Sequence, residues 1–359
     1  YLGKGVKQFI RGFTVVLMVL VGAVFIMGPA KILAGLNPDA LSMTFWVWII
    51  FIYYLLATLL PIDKIIGRIY PLFGFALIFM ALGLITALFV KGFNIPELSP
   101  GNFRNFHVDA QKFPVFPMMF ITIACGAISG FHSTQSPMMA RCITNEKLGR
   151  RVFYGAMITE GVVAMIWAAI GMSFYGGIRE LNIVMTEHQG NAAFLVNEIS
   201  NSLLGKFGGL LALLGVVAAP ITSGDTAFRS ARLIVADFLS FKQGPIKNRL
   251  LISIPLFTIG FLLTLVNFDI IWRYFAWSNQ TLATFVLWAI TVYLAQNHKF
   301  FWITLVPAVF MTAVTCTYIL FAPEGFSLPA VISYPAGLLA ALSALSGFFI
   351  YNKKINTDR

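Results

Sequence analysis

Residues 113–142 read FPVFPMMFITIACGAISGFHSTQSPMMARC, and the reading of this stretch decides the fold. Residues 113–140 hold no Asp, Glu, Lys or Arg, a run long enough to cross a bilayer. It is not written like a lipid-facing helix. After Ala124 come Gly126, Ser129, Gly130, His132, Ser133, Thr134, Gln135, Ser136 and Pro137, so backbone breakers stand beside hydroxyls, an imidazole and an amide. In hydrocarbon every freed backbone group has to be satisfied internally, so a broken helix persists only where protein or a cavity surrounds it. A kink needs one Gly or Pro. This polar cluster reads instead as the discontinuous helix with which many secondary transporters build a substrate or ion site.

Working outward, the composition agrees. Hydrophobic residues make up 58% of the chain and charged ones 11%, and mean hydropathy is +0.84, which specifies a polytopic membrane protein. The formal charge of +11 does not point to nucleic acid, because the basic residues sit between apolar spans, where the positive-inside rule accounts for them. Cys125, Cys142 and Cys316 show no paired spacing, and the four histidines form no ligand motif, so no disulfide framework, metal or cofactor is expected.

Windows free of charge mark ten expected spans: 12–30, 40–62, 69–90, 113–140, 152–178, 207–224, 250–268, 274–297, 300–323 and 325–352, the fifth holding one acid, Glu160. Lys4, Lys7 and Arg11 precede the first span and Lys353 and Lys354 follow the last. Both termini are therefore placed in the cytoplasm, and alternation from there puts most of the 25 Lys and Arg on that side. Loop 91–112 reads as an outer connection with His107 solvated. The basic residues Arg141, Lys147, Arg150 and Arg151 read as a cytoplasmic cluster within reach of lipid headgroups.

Three further features carry chemistry. Glu160 stands inside the fifth span, where an intramembrane carboxyl is either a neutral group bonded to a neighbouring helix or a handler of protons or substrate. Around PITSGDTAFRSAR (220–232), one helix is expected to end at Pro220 and another to start at Thr222. Ser223 or Asp225 would cap it and Asp225 would pair with Arg229, or Ser223, Asp225 and Thr226 would bind a cation or relay a proton. Arg229 and Arg232 read as cytoplasmic-face residues. A third interruption is expected at IIWRYFAWSNQTLATF (270–285), as an outer turn between short helices or with Asn279 and Gln280 facing a cavity. Between spans, NAAFLVNEISNSLL (191–204) has helical periodicity and reads as a short surface helix.

FPMMFITIACGAISGFHSTQS resembles the signature of the carbon starvation protein A family. SGDTAFRSARLIVADFL and YFAWSNQTLA are similar to two later family segments, in the same order. The resemblance covers essentially the whole chain. It implies an inner-membrane secondary transporter importing peptides or pyruvate in the starvation response, with a LeuT-like core of discontinuous helices. It also implies further membrane segments upstream of Tyr1, so an N-terminally incomplete chain is expected, and extra spans in long-form members where this chain has loop 91–112.

The expectation is one all-α transporter domain over 1–359, working by alternating access in the lipid bilayer. Thr122, Gly126, Ser129, Gly130, His132, Ser133, Gln135, Asn279 and Gln280 are assigned to substrate contact, and His132, Glu160, Ser223, Asp225 and Thr226 to coupling by a proton or sodium. A histidine titrates near neutrality, which suits His132 to a relay. The alternative is an intramembrane hydrolase using Ser129. Ala127 stands where its usual GxSG core needs glycine, and the GxSxG elbow is absent. A channel filter and a receptor output domain are equally absent from the sequence.

Overall fold

The computed structural model describes residues 2–36, 41–59, 62–97, 99–124, 126–188 and 190–357. Among these every regular element is a helix: α1 (Lys4–Leu36), α2 (Met43–Leu59), α3 (Ile62–Val90), α4 (Phe120–Ala124), α5 (His132–Cys142), α6 (Gly155–Ser173), α7 (Ile178–Glu187), α8 (Ala192–Phe238), α9 (Ile246–Leu263), α10 (Phe268–Gln296), α11 (Trp302–Phe321) and α12 (Ala330–Thr357). Cys125 lies outside the described residues.

Seven described helices are long and apolar enough to cross a membrane, namely Lys4–Leu36, Pro71–Val90, Glu146–Ser173, Gly208–Phe238, Ile246–Leu263, Trp302–Phe321 and Ala330–Lys353. The protein is a multi-pass membrane protein. The other three expected spans each have a visible counterpart. Met43–Ala57 is apolar but shorter, the stretch at 113–140 is split, and α10 is 29 residues long but diluted by Arg273, Ser278, Asn279 and Gln280.

The chain divides into two compact units. The first comprises Tyr1–Leu17, Asp109–Ile143 and Asp269–Arg359, and the second Met18–Val108 and Thr144–Phe268. In the first, α11 and α12 meet through small residues. A Cβ on Gly337 would lie 1.9 Å from Thr317 Oγ1 and 3.0 Å from the Ala313 carbonyl. Ser333 and Ala341, one turn to either side of Gly337, are buried on the same face. Helices in a membrane gain nothing from hiding apolar surface from lipid, so such backbone approach and its dispersion contacts hold them together. Met118, Ile121, Met311, Val314 and Tyr318 form the adjoining core.

In the second unit, α3 packs along α8 and α6 through Met80, Leu84, Leu88, Ile166, Ile170, Ile199 and Leu203. A further core gathers Ile26, Ile50, Phe51, Tyr54, Phe228 and Phe257. Gly205 adopts φ 70° and ψ 177°, a left-handed conformation that favours glycine, and it separates the helical segment 192–204 from the rest of α8. The short helix expected at 191–204 is that first segment, capped by the Asn191 side chain on Ala193 N–H.

Two expectations about helix breaks are corrected. α8 runs through Pro220 without interruption, and α10 runs through 273–280. Thr222 Oγ1 donates to the Ala219 carbonyl and Thr226 Oγ1 to the Ser223 carbonyl, so these hydroxyls bond within a continuing helix instead of capping a new one. With no helix start there, Ser223 and Asp225 have no orphan N–H groups to cap. A proline inside a helix costs about 3 kcal/mol; packing along α8 outweighs that cost.

Candidate functional site

The break predicted in residues 113–142 is present and belongs to the first unit. A π-helical turn at Val115–Met119 leads into α4, the chain then leaves helical geometry, and α5 begins at His132 and continues through Pro137. The interruption thus ends at Phe131, earlier than the composition implied.

Several of the freed backbone groups find partners locally or on α10. His132 N–H donates to the Ser129 carbonyl at 3.2 Å, and Ser133 N–H to that of Gly130 at 3.0 Å. Ser133 Oγ also donates to Gly130 O at 2.7 Å, and Thr134 Oγ1 to Phe131 O at 2.8 Å. Asn279 on α10 supplies two further bonds. Its Oδ1 accepts the Phe131 N–H at 2.9 Å and the Ser129 hydroxyl at 3.2 Å. This is an N-terminal cap for α5 contributed by another helix.

Gly130 allows that approach. It is buried, and a Cβ there would lie 2.3 Å from the Asn279 carbonyl oxygen and 2.7 Å from Leu282 Cβ. Asn279 and Gln280 are fully buried, and Ser278 nearly so. The arrangement is a polar core around the break, with His132, Ser133 and Gln135 partly buried at the start of α5.

The nine substrate candidates all fall in this unit. Structure brings Ser129, Gly130, Ser133 and Asn279 into one bonded cluster, with Gly126, His132, Gln135 and Gln280 on the same elements. Thr122 stands apart, exposed on α4 with its hydroxyl 3.4 Å from its own Met118 carbonyl. Ser129 donates to an amide oxygen, a geometry that gives a serine nucleophile no base at that contact.

Of the coupling candidates, Glu160, Ser223, Asp225 and Thr226 belong to the second unit. Glu160 is partly buried on α6, near its start. Asp225 is buried on α8 with Arg229 Nη2 3.4 Å away, the expected i, i+4 pair. Arg229 Nη2 also donates to the Ala57 carbonyl at 2.8 Å, where a cation suits the last turn of α2. Arg229 and Arg232 are 6% and 5% exposed, so both are buried within the second unit. Charge alone suggested solvent, but a buried guanidinium is tolerated where carboxylate and carbonyl meet it.

Sequence reasoning missed two groups. Tyr54 is fully buried; its hydroxyl donates to the Phe25 carbonyl at 3.1 Å and rests against Gly224. Glu324, in the turn after α11, accepts from Arg273 Nη1 at 3.3 Å and from the Tyr318 hydroxyl, while its carbonyl accepts from the Tyr274 hydroxyl. The sequence signal for the Glu324 contact was opposite charge at the ends of neighbouring spans. Among the described residues no cluster of His, Cys, Asp or Glu could hold a metal, and Cys142 and Cys316 are free thiols.

Comparison with known proteins places this geometry in context. An uncharacterized membrane protein of Haemophilus influenzae is 40% identical over 223 residues, 49% of this chain and 60% of that protein. The peptide transporter CstA of Campylobacter jejuni is 26% identical over 264 residues, 56% of this chain and 38% of that protein. The pyruvate/proton symporter BtsT of Escherichia coli K12 is 34% identical over 119 residues, 32% of this chain and 16% of that protein. The chain thus spans less than two thirds of the length of each of these relatives. No solved structure matches it. The model of the carbon starvation protein CstA matches residues 2–199 and 188–318, and the chain belongs to that family.

Proposed function

We propose that this chain forms part or all of a secondary active transporter that imports a small organic nutrient, a peptide or pyruvate, across the cytoplasmic membrane. One observation carries the reading: a helix interrupted at mid-span, whose break is packed against a polar stretch of α10 and capped by Asn279. A broken helix offers backbone and short polar groups inside a membrane, which is what binding a polar solute there requires. Relatives named as peptide transporters and as a pyruvate/proton symporter support the same class.

In this reading Ser129, Gly130, His132, Ser133, Gln135, Asn279 and Gln280 form or support the substrate site, with Gly126 and Thr122 flanking it. His132, Glu160, Ser223, Asp225 and Thr226 handle the coupling ion, a proton in the leading version and sodium in the other. Ten membrane spans, a LeuT-like core, both described ends in the cytoplasm and a role in carbon starvation complete the proposal. The test is uptake by proteoliposomes of labelled pyruvate and of a labelled dipeptide, under an imposed proton gradient and then a sodium gradient. Accumulation of one label under one gradient identifies substrate and ion. Silence in all four conditions with folded protein would overturn the transport reading for both substrates.

A further inference from the structure

Beside the polar core of α10, the first unit holds a separate, partly open cavity of about 520 Å³. Its walls are α10 from Thr281 to Val292, α11 at Thr312–Cys316, α12 from Ala344 to Tyr351, and Leu2, Gly3 and Val6 at the beginning of the chain. None of the lining residues is charged.

Most polar side-chain groups in the lining are already engaged. Thr281, Thr284, Thr312 and Thr315 each donate to a carbonyl one turn earlier in their own helix, at 2.7–2.8 Å. The Trp288 indole N–H donates to Thr312 Oγ1 at 2.9 Å, and Tyr351 OH accepts from Gln296 at 3.2 Å. A cavity whose hydroxyls face their own backbone presents carbon to its contents, so its ligand is apolar.

Length and charge narrow the choice. Thr281 to Val292 spans about 17 Å at 1.5 Å per residue, close to half of a hydrocarbon core about 30 Å thick. That is the reach of one lipid chain in one leaflet. At the end marked by Gly3, Val292 and Tyr351, the chain carries Lys4 and Lys7, both exposed on the first turns of α1, and exposed Lys353 just beyond Tyr351. Lysines at the interface attract anionic headgroups. We propose that this cavity is a phospholipid site, taking one acyl chain of an anionic lipid between α10, α11 and α12 with its phosphate at Lys4, Lys7 and Lys353.

The test uses Trp288, which lines the cavity, as reporter. The full chain in detergent micelles is titrated with phosphatidylglycerol brominated along its acyl chains, and in parallel with brominated phosphatidylcholine. Subtracting the Trp288→Phe variant isolates the Trp288 signal from that of the other six tryptophans, of 7 in all. Quenching that saturates at low mole fraction of the anionic lipid, with a midpoint about fivefold or more below that of the neutral lipid, is expected from even one lysine contact. A Cβ on Gly347 would meet nothing within 4 Å, so Gly347→Leu adds bulk to the cavity wall without a clash at its Cβ and should remove the saturable component. Lys4→Gln, Lys7→Gln and Lys353→Gln combined, all at exposed positions, should bring the two lipid midpoints together. Quenching that rises in proportion to both lipids, or a Trp288 shielded from both in a self-associated form, would overturn the proposal on the wild-type protein alone.

Discussion

Asn279 Oδ1 lies 2.9 Å from the backbone nitrogen of Phe131, 148 residues away in the chain, and accepts its hydrogen. The same oxygen takes the Ser129 hydroxyl, so one buried amide closes the break in the helix at 113–142. Replacing Asn279 by Leu leaves the partly buried Phe131 N–H and Ser129 hydroxyl without this acceptor. A loss of about 1–3 kcal/mol is expected, read as a lowered midpoint of thermal unfolding in detergent. Ser129→Ala keeps the Phe131 bond and should cost about 1 kcal/mol or less. Equal effects of the two changes would show that the cap is not the dominant contact.

Gly130 is among the residues that the sequence assigns to substrate contact. Its Cβ direction points instead at α10, 2.3 Å from the Asn279 carbonyl. Gly130→Ala should therefore separate α5 from α10, destabilising the protein by about 1–3 kcal/mol and abolishing uptake. Wild-type stability with uptake lost would return Gly130 to a direct role at the ligand.

Gly224 and Tyr54 form a second dependent pair, with a Cβ on Gly224 placed 2.0 Å from the Tyr54 hydroxyl. Gly224→Ala should be destabilising alone, and Tyr54→Phe should lose about 1 kcal/mol with its bond to Phe25. Adding Tyr54→Leu to Gly224→Ala should recover part of the loss. Strict additivity in the double-mutant cycle would contradict the contact.

Glu324 is the better buried partner of its ion pair, with its side chain 7% exposed against 38% for Arg273. Glu324→Ala strands the Arg273 charge and the Tyr318 hydroxyl together, and should cost about 1–3 kcal/mol. Arg273→Met leaves Tyr318 donating to the carboxylate and should cost about 1 kcal/mol or less. Chemical denaturation of both variants ranks them; the reverse order would place the energy in the guanidinium.

Glu160 and His132 are separable by transport. Glu160→Gln should abolish uptake driven by a proton gradient if its carboxyl carries the proton, and His132→Ala should shift the pH dependence of uptake. Unchanged pH dependence in both variants would remove both from coupling and leave sodium as the ion to test.

How much of this was legible beforehand depends on the range of the interaction concerned. The interruption at 126–131 was visible because Gly126, Gly130 and their polar neighbours are adjacent in sequence and break helical hydrogen bonding where they stand. The Asp225–Arg229 pair was visible because four residues make one helical turn. Pro220 misled because its local signal is strong, yet neighbouring helices hold α8 together across it. The polar run at 277–280 misled in the opposite sense: it looked like a turn, while its amide was the partner that another helix required.

Sequence alone determined that this is an all-helical membrane protein with an interrupted helix in 113–142, since hydrocarbon permits only chains that satisfy their backbone within the segment or its immediate surroundings. Only the tertiary structure decided what closes that break, why Gly130 admits no side chain, and where Arg229 finds its carbonyl. Those answers depend on which helix faces which, and contacts 148 and 172 residues apart leave no periodicity in the sequence.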